Sequence, residues 1–384
     1  MATTKYDVIV VGLGAMGSAT AYHLARRGHR VLGLDANARG HKFGSSHGTS
    51  RIIREAYLEG SDYVPLVQRA YQLWRELEAE TANQLLKITG GLTIGEPQSG
   101  FVTGALASSR LFNLPYEYLT ASEVNQRFPA YSLGENLAAV YEKNAGILFP
   151  ELCVTSHLDL ATRYGAEIHH EEQVLNWSAR NNEVLVETAQ GSYQAERLVI
   201  TTGPWASELL ADLGIPLKVQ RIVNVHFEPD SPARFQPEVC PVYLLEVPEG
   251  EYYGFPALPG EGLKIGRHEI GEVCTPQTIN RTVTPSEIED LRVVLDRYMR
   301  GGANAFKWSL TCMYTNTPDR NFVLDRHPGQ PNVVYGCGFS GHGFKFASVI
   351  GEVLADLAVE GQSRHSVEFL AASRFSSNVQ LVQS

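Results

Sequence analysis

The sequence predicts an α/β chain in which a Rossmann-type unit is interleaved with a mostly antiparallel β domain. Three observations carry this. The opening segment reads strand, tight glycine turn, helix, strand. The texture changes near Val219, from where strands punctuated by glycine and proline dominate. A strand–glycine–helix pattern then returns at Val333.

Residues 6–11 (YDVIVV) are an apolar, β-branched run of the kind buried on both faces of a sheet. GLGAMG follows at once, with Gly12, Gly14 and Gly17 in G-x-G-x-x-G spacing and Ala15 and Met16 opening a helix over 15–27. Residues 29–34 make a second strand that ends in Asp35. Each part has a physical task. Gly12 permits the sharp turn, Gly14 lets backbone approach a pyrophosphate, and Gly17 lets the helix pack on the strand. The helix N-terminus favours phosphate, and Asp35 can accept hydrogen bonds from a ribose. The competing reading is a strand-to-helix turn that binds nothing. The fingerprint does not separate FAD from NAD. Its place at the head of a 384-residue chain favours FAD, because enough chain follows to bury a large cofactor.

That length suits two intimate domains, and a 43% hydrophobic fraction is ample for their cores. A net charge of −10 argues against a nucleic-acid surface. No apolar run of about 18 residues is present to span a membrane. Residues 1–11 read as the first strand rather than a signal peptide. Cys153, Cys240, Cys274, Cys312 and Cys337 are scattered and form no CxxC pair. They argue against a disulfide frame or a zinc site and fit a reducing cytoplasm.

After Asp35 comes a glycine- and serine-rich loop with His47, Ser50, Arg51 and Arg54. On a helical turn the two arginines share a face. Two readings stand: a solvated basic turn, or a cluster in which His47 and Arg51 lie against a cofactor while Arg54 faces a substrate anion. Further on, the pattern predicts a helix over 63–80, a strand with an internal Gly-Gly turn over 88–95, a hairpin over 139–149 and a helix over 151–163. Strands at 166–170 and 183–188 leave Val174 between them, where such folds approach an adenine. The strand over 197–202 ends at Gly203, a second close backbone approach. Strands at 223–227, 242–246, 252–255 and 263–267 form the antiparallel sheet, and Thr284-Pro285-Ser286-Glu287 caps a helix over 284–298. Residues 333–337 form a strand followed by Gly338, Gly341 and Gly343 before a helix over 346–359. Such a loop suits an anion or the electron-rich end of a flavin ring.

GLGAMG with its following LD, SSHGTSRIIR (45–54), YYGFP…GLKIGRH (252–268), TCMYTNTPD (311–319) and GFSGHGFKFA (338–347) occur together. With them the chain resembles the monomeric sarcosine oxidase and N-methyltryptophan oxidase family over nearly its whole length. The expected architecture is a glutathione-reductase-like FAD-binding domain from residues 1–85, 147–216 and 319–384, with a substrate domain from 86–146 and 217–318. The resemblance implies a flavin amine oxidase, expected as a monomer. It would oxidise a secondary N-methyl amino acid, sarcosine foremost, to an imine that water hydrolyses, with dioxygen reduced to hydrogen peroxide. Cys312 matches the cysteine that carries FAD covalently, and Lys264 the lysine that activates dioxygen. Arg54 and Lys345 match the pair that binds the substrate carboxylate, and Tyr253 and His268 match residues lining the substrate cavity. His47, Ser50 and Arg51 match the cluster on one flavin face, where Arg51 tunes the potential. Tyr314 matches a tyrosine near the cysteinyl link.

Read from the residues alone, the simpler readings are that Cys312 is an ordinary buried thiol, Lys264 a solvent-facing strand residue and His268 a structural histidine. The chain also departs from the family pattern. Thr49 stands where an acidic residue is common, Ser46 precedes His47, and Arg267 sits between Gly266 and His268, where it is expected to alter the charge at the cavity mouth. These departures bear on the substrate, so an N-methyltryptophan or glycated amino acid oxidase is the alternative within the family. Outside it stand an NAD-dependent dehydrogenase, colourless when pure, and a module that holds FAD without turnover.

Overall fold

The computed structural model describes residues 5–180, 182–268 and 271–375. Its opening strand, Lys5–Val11, is buried on both faces and lies between two parallel neighbours, Val31–Leu34 and Ser192–Ile200. Glu167–His169 extends the parallel set beyond Val31–Leu34. Ser192–Ile200 divides its other edge. Its first half pairs antiparallel with Glu183–Thr188, and Leu198 to Ile200 pair in parallel with Gln330–Cys337. Val174–Arg180 and Val323–His327 complete eight strands among the described residues. Val174 therefore opens a strand rather than falling between two. The parallel strands end together at Gly12, Asp35, Thr201 and Gly338, and the crevice beyond such ends is where α/β sheets bind ligands.

Helices cover this sheet. Ala15–Arg26 packs against Pro150–Arg163 and Ala347–Val359, and Val64–Thr81 lies on the last of these. Val64, Val67, Ala70, Trp74 and Leu77 form the buried stripe of Val64–Thr81, at the spacing that one helix face requires.

A second eight-stranded sheet runs in the order Ala305–Asn316, Lys218–Glu228, Gly262–Arg267, Gly250–Leu258, Val242–Val247, Gly91–Gly95, Ala138–Glu142, Glu117–Thr120. Every pairing in it is antiparallel except Val242–Val247 with Gly91–Gly95. Helix Pro285–Tyr298 carries the expected capping box, Thr284 and Glu287 each satisfying the other's backbone N–H. The helix Gly100–Leu111 has no counterpart in the sequence-based expectations.

Two expected elements are corrected. Residues 139–149 are not a hairpin. Ala138–Glu142 belongs to the antiparallel sheet, whereas Gly146–Leu148 pairs with Arg51–Ile53 and Leu86–Ile88 in a separate three-stranded sheet. Residues 88–95 divide in the same way: Leu86–Ile88 lies in the small sheet and Gly91–Gly95 in the large one. The pairing of Gly146 with Ile88 needs a glycine, because a Cβ there would overlap the Lys87 carbonyl. Arg51 and Arg54 are likewise not on a helical turn. Ile52 and Ile53 are β-branched, and Arg51–Ile53 is a strand paired with Gly146–Leu148.

Candidate active site

One cavity of about 570 Å³ opens at the ends of the parallel strands and continues beneath the antiparallel sheet. Its wall includes Gly12, Gly14, Ala15, Met16, Asp35, Val174 and Gly203 from the first region. Arg51, Arg54, Tyr253, His268, Cys312, Tyr314, Gly341, Gly343 and Lys345 also line it. Gly17, His47, Ser50 and Lys264 do not line it and lie behind that wall.

The nucleotide part is made by backbone. Gly12 has φ +86°, and a Cβ there would stand 2.7 Å from the Thr201 carbonyl oxygen. A Cβ on Gly17 would overlap the Gly12 carbonyl, so the helix can start this close to the strand only with glycine. Asp35 is buried and accepts from the Leu13 N–H at 2.8 Å and the Asn37 N–H at 2.9 Å, which fixes the turn beside it. Ser46 Oγ accepts from the Ala15 N–H at 3.0 Å, so the serine before His47 serves the helix start. Thr202 Oγ1 and His170 Nδ1, on residues that line the cavity, have no partner within the protein. A long cavity with a glycine cradle and unspent polar atoms fits a dinucleotide.

The middle is a ring of side chains from distant segments. Cys312 is buried in strand Ala305–Asn316, with the Arg51 guanidinium 3.9 Å from its Sγ. Arg51 also donates to the carbonyls of Ser50 (2.8 Å), Ser45 (3.0 Å) and His47. His47 is buried with Nε2 unpartnered, and burial followed by the Arg51 charge pushes it down to about 4. The Gly48 and Thr49 N–H groups both go to Glu151 Oε1, at 2.6 and 3.2 Å. A carboxylate is thus present at the Thr49 departure, delivered from another helix.

Lys264 is 2% exposed, which removes the solvent-facing reading. Its Nζ donates to Gly48 O at 2.8 Å and lies 3.3 Å from both Ser50 O and Ser50 Oγ. Burial, then Arg51, pulls its pKa well below the usual range. Three oxygen partners match the three donors of an ammonium, and on that geometry we assign the charged form. Tyr253 donates to Asn224 Oδ1 at 2.8 Å and is pushed up to about 12 by burial. His268 Nδ1 lies 3.4 Å from the Tyr314 hydroxyl and its ring faces Tyr253 edge-on, so this histidine belongs to the cavity wall.

The substrate part carries charge. Arg54 Cζ and Lys345 Nζ stand 4.8 and 5.1 Å from the centre of the Tyr57 ring. The Trp74 indole N–H donates to Lys345 O at 2.9 Å, so the core helix fixes the turn that presents this lysine. Burial pushes Lys345 down to about 7 against the pull of Glu59. Glu59 is the residue that sequence reasoning missed. Its carboxylate lines the cavity and accepts from one Arg54 nitrogen, Nη2, at both oxygens, at 2.8 and 2.6 Å, while Nη1 donates to Ala56 O. Burial alone would raise its pKa, yet Arg54, His342 and Lys345 hold it well below the carboxylate range. Two cations and one resident anion therefore face this part of the cavity. The sequence signal was an acid five positions after Arg54. Phe101, from the unexpected helix, also lines the cavity and had no signal.

Arg267 is not at the cavity mouth. It donates to Glu249 O at 3.1 Å, lies over the Tyr252 ring and does not line the cavity. Strand Gly262–Arg267 pairs Arg267 with Tyr252, which draws the side chain there.

The family model for FAD dependent oxidoreductases (DAO) matches residues 7–357. A monomeric sarcosine oxidase of Streptomyces avermitilis is 46% identical, covering 94% of this chain and 96% of that one. An N-methyl-L-tryptophan oxidase of Salmonella enteritidis is 35% identical, over 97% of this chain and 100% of that one. Among solved structures, L-proline dehydrogenase from P. horikoshii superposes with a TM-score of 0.86 at 25% identity, covering 98% of this chain and 99% of that one. The site described above and these likenesses over nearly the full length agree: the chain belongs to the monomeric sarcosine oxidase and N-methyltryptophan oxidase family of FAD-dependent oxidoreductases.

Proposed function

We propose that this FAD-dependent oxidoreductase oxidises a secondary N-methyl amino acid, with sarcosine favoured, to an imine. Water hydrolyses the imine to the amino acid and formaldehyde, and dioxygen takes up two electrons and two protons to give hydrogen peroxide. The observation that carries this reading is the meeting of two buried cationic side chains, Arg54 and Lys345, over one tyrosine ring in the cavity that holds the nucleotide cradle.

FAD supplies the two-electron acceptor when bound. Gly12, Gly14, Ala15, Met16, Gly17 and Asp35 would hold its nucleotide half, with Val174 and Gly203 beside them. Cys312 would carry the ring by a thioether, with His47, Ser50, Arg51, Tyr314, Gly341 and Gly343 around it. Arg54, through the Nη2 that Glu59 otherwise holds, and the Lys345 ammonium bind the substrate carboxylate. Tyr253 and His268 wall the amine's place. The amine reacts neutral, because its lone pair must be free, and the cations beside it lower its pKa. Lys264 holds a fixed positive charge where dioxygen gains negative charge.

The same reading takes 1–85, 147–216 and 319–384 as the FAD-binding domain and 86–146 and 217–318 as the substrate domain, which the strand membership of the two large sheets supports. It takes the protein as a cytoplasmic monomer, in keeping with five free cysteines and relatives named monomeric. No described helix is long and apolar enough to cross a membrane.

The test is a panel of N-methyl amino acids and their decarboxylated analogues, read by peroxide release. Sarcosine should react and dimethylamine hardly at all. Equal turnover of acids and plain amines refutes the carboxylate site. Turnover of bulky or glycated substrates alone keeps the chemistry and rejects sarcosine. Yellow colour that stays with the acid-precipitated pellet supports the thioether, and peptide mapping away from Cys312 overturns it.

A further inference from the structure

We propose that Glu142 is a positioning residue for the substrate-carboxylate site: from the antiparallel sheet it grips, by two backbone amides, the segment that presents Arg54. The inference rests on the reading of Arg54 as the carboxylate ligand.

Glu142 is the last residue of strand Ala138–Glu142, paired with Gly91. There the chain leaves the large sheet for the small one, which turns the carboxylate towards residues 55–56. Glu142 is 6% exposed. Its Oε1 accepts the Glu55 N–H at 2.6 Å and its Oε2 the Ala56 N–H at 2.7 Å. Ala56 returns its carbonyl to Arg54 Nη1 at 2.6 Å. The residue held by Glu142 therefore holds the guanidinium. Tyr57 follows, with its ring against Arg54 and Lys345 and its hydroxyl on His342. Glu59 then takes the other guanidinium nitrogen, Arg54 Nη2, on both of its oxygens.

Residues 54–60 lie outside any strand or helix, between strand Arg51–Ile53 and the turn Ser61–Tyr63. Buried N–H groups in such a segment need partners from elsewhere. A carboxylate can accept at both oxygens, whereas an amide of the same shape would set its NH₂ against one of the two N–H donors. Burial makes the charged form costly here and pushes the Glu142 carboxyl up to about 7 against the pull of these N–H groups and Arg54, while both oxygens accept N–H donors as a carboxylate does. That cost is set against an ordered Arg54 segment in a cavity wall contributed by both large sheets.

The variants are Glu142→Gln, Arg54→Ala and the double mutant, each assayed as flavin-loaded protein with sarcosine as substrate and acetate as competitive inhibitor. Melting temperature and flavin absorbance serve as folding controls. Glu142→Gln is expected to raise KM about tenfold and the Ki of acetate by the same factor, with kcat changed less than threefold. In the Arg54→Ala background the same substitution is expected to add less than twofold, because it acts through Arg54. An unchanged KM and Ki in Glu142→Gln overturns the inference, as does a loss confined to kcat or one that adds fully to that of Arg54→Ala. An unchanged KM in Arg54→Ala removes the carboxylate reading, and this inference with it.

Discussion

The nucleotide and substrate parts of the cavity are built by different means. Around Gly12 the wall is backbone: glycines without side chains, amides at a helix start and one acid that ties two turns. Around Arg54 the wall is side chains: a guanidinium, an ammonium and a carboxylate, each buried and each dependent on the others. The first part comes mainly from short stretches of chain. The second gathers residues 54–59, 142, 253–268 and 342–345. A backbone site of this kind tolerates no added atoms. A charge-network site tolerates changes of shape and is sensitive to every proton.

The sharpest break of this contrast is steric. Gly17→Ala places a methyl group on the Gly12 carbonyl, in a contact neither backbone can relieve cheaply. We expect the purified protein to retain little or no flavin, and to lose about 1–3 kcal/mol of stability, the usual cost of overpacking. Flavin absorbance per protein and the thermal midpoint read this. Retention of full yellow colour would show that the cradle is looser than its geometry.

Lys264 lies behind the cavity wall, its charge held by two backbone carbonyls and the Ser50 hydroxyl. Lys264→Met keeps length and removes the charge. Reoxidation of the reduced enzyme by dioxygen is expected to slow about 100-fold, which corresponds to about 2.7 kcal/mol. Reduction by substrate should change little. Stopped-flow traces with slow reduction and normal reoxidation would reverse the assignment.

The same contrast explains what could be read in advance. The GLGAMG turn, Asp35, the apolar strands and the Thr284–Glu287 cap are local patterns, and the structure has each of them where the sequence places it. Strand partners were harder. Gly146–Leu148 follows Ala138–Glu142 after three residues, and nothing local says that the two enter different sheets. Arg54 and Lys345 were legible through family resemblance, because their motifs carry them. Glu59 was not, because an acid five positions after an arginine does not by itself say that the two side chains meet. Arg267 misled for the mirror reason: its neighbour His268 lines the cavity, and strand alternation sends adjacent side chains to opposite faces.

Glu59 gives the next test. If it competes with substrate for Arg54 Nη2, Glu59→Gln should lower the KM for sarcosine several-fold. Arg54→Ala should harm binding more with Glu59 present than with Gln at that position, by about tenfold, because the single mutant leaves a buried carboxylate beside the incoming one. Competition assays with acetate would read the same difference without turnover. Additive effects of the two substitutions would mean that Glu59 only supports the arginine.

The smallest effect expected is on pH, and it belongs to Lys345. Burial holds this lysine at about 7, below its ordinary 10.5. Above neutrality the free enzyme is therefore losing the ammonium, while the unfolded chain still binds that proton up to about pH 10.5. Linkage then makes this group's contribution to stability rise with pH across that window, since the unfolded state holds more protons. Substrate acts in the opposite sense. A carboxylate beside Lys345 favours the charged form, so binding between about pH 7 and 9 should draw in a fraction of a proton. Calorimetry of acetate binding in buffers of different ionisation enthalpy measures that uptake. It should vanish in Lys345→Met, and acetate affinity in the native enzyme should weaken a few-fold as pH rises through this range. Turnover follows a different course, because the reactive neutral amine gains population as the lysine loses charge, and kcat/KM should pass through a maximum. Uptake of no proton in the native enzyme would place Lys345 in its charged state throughout, held there by Glu59 before any substrate arrives.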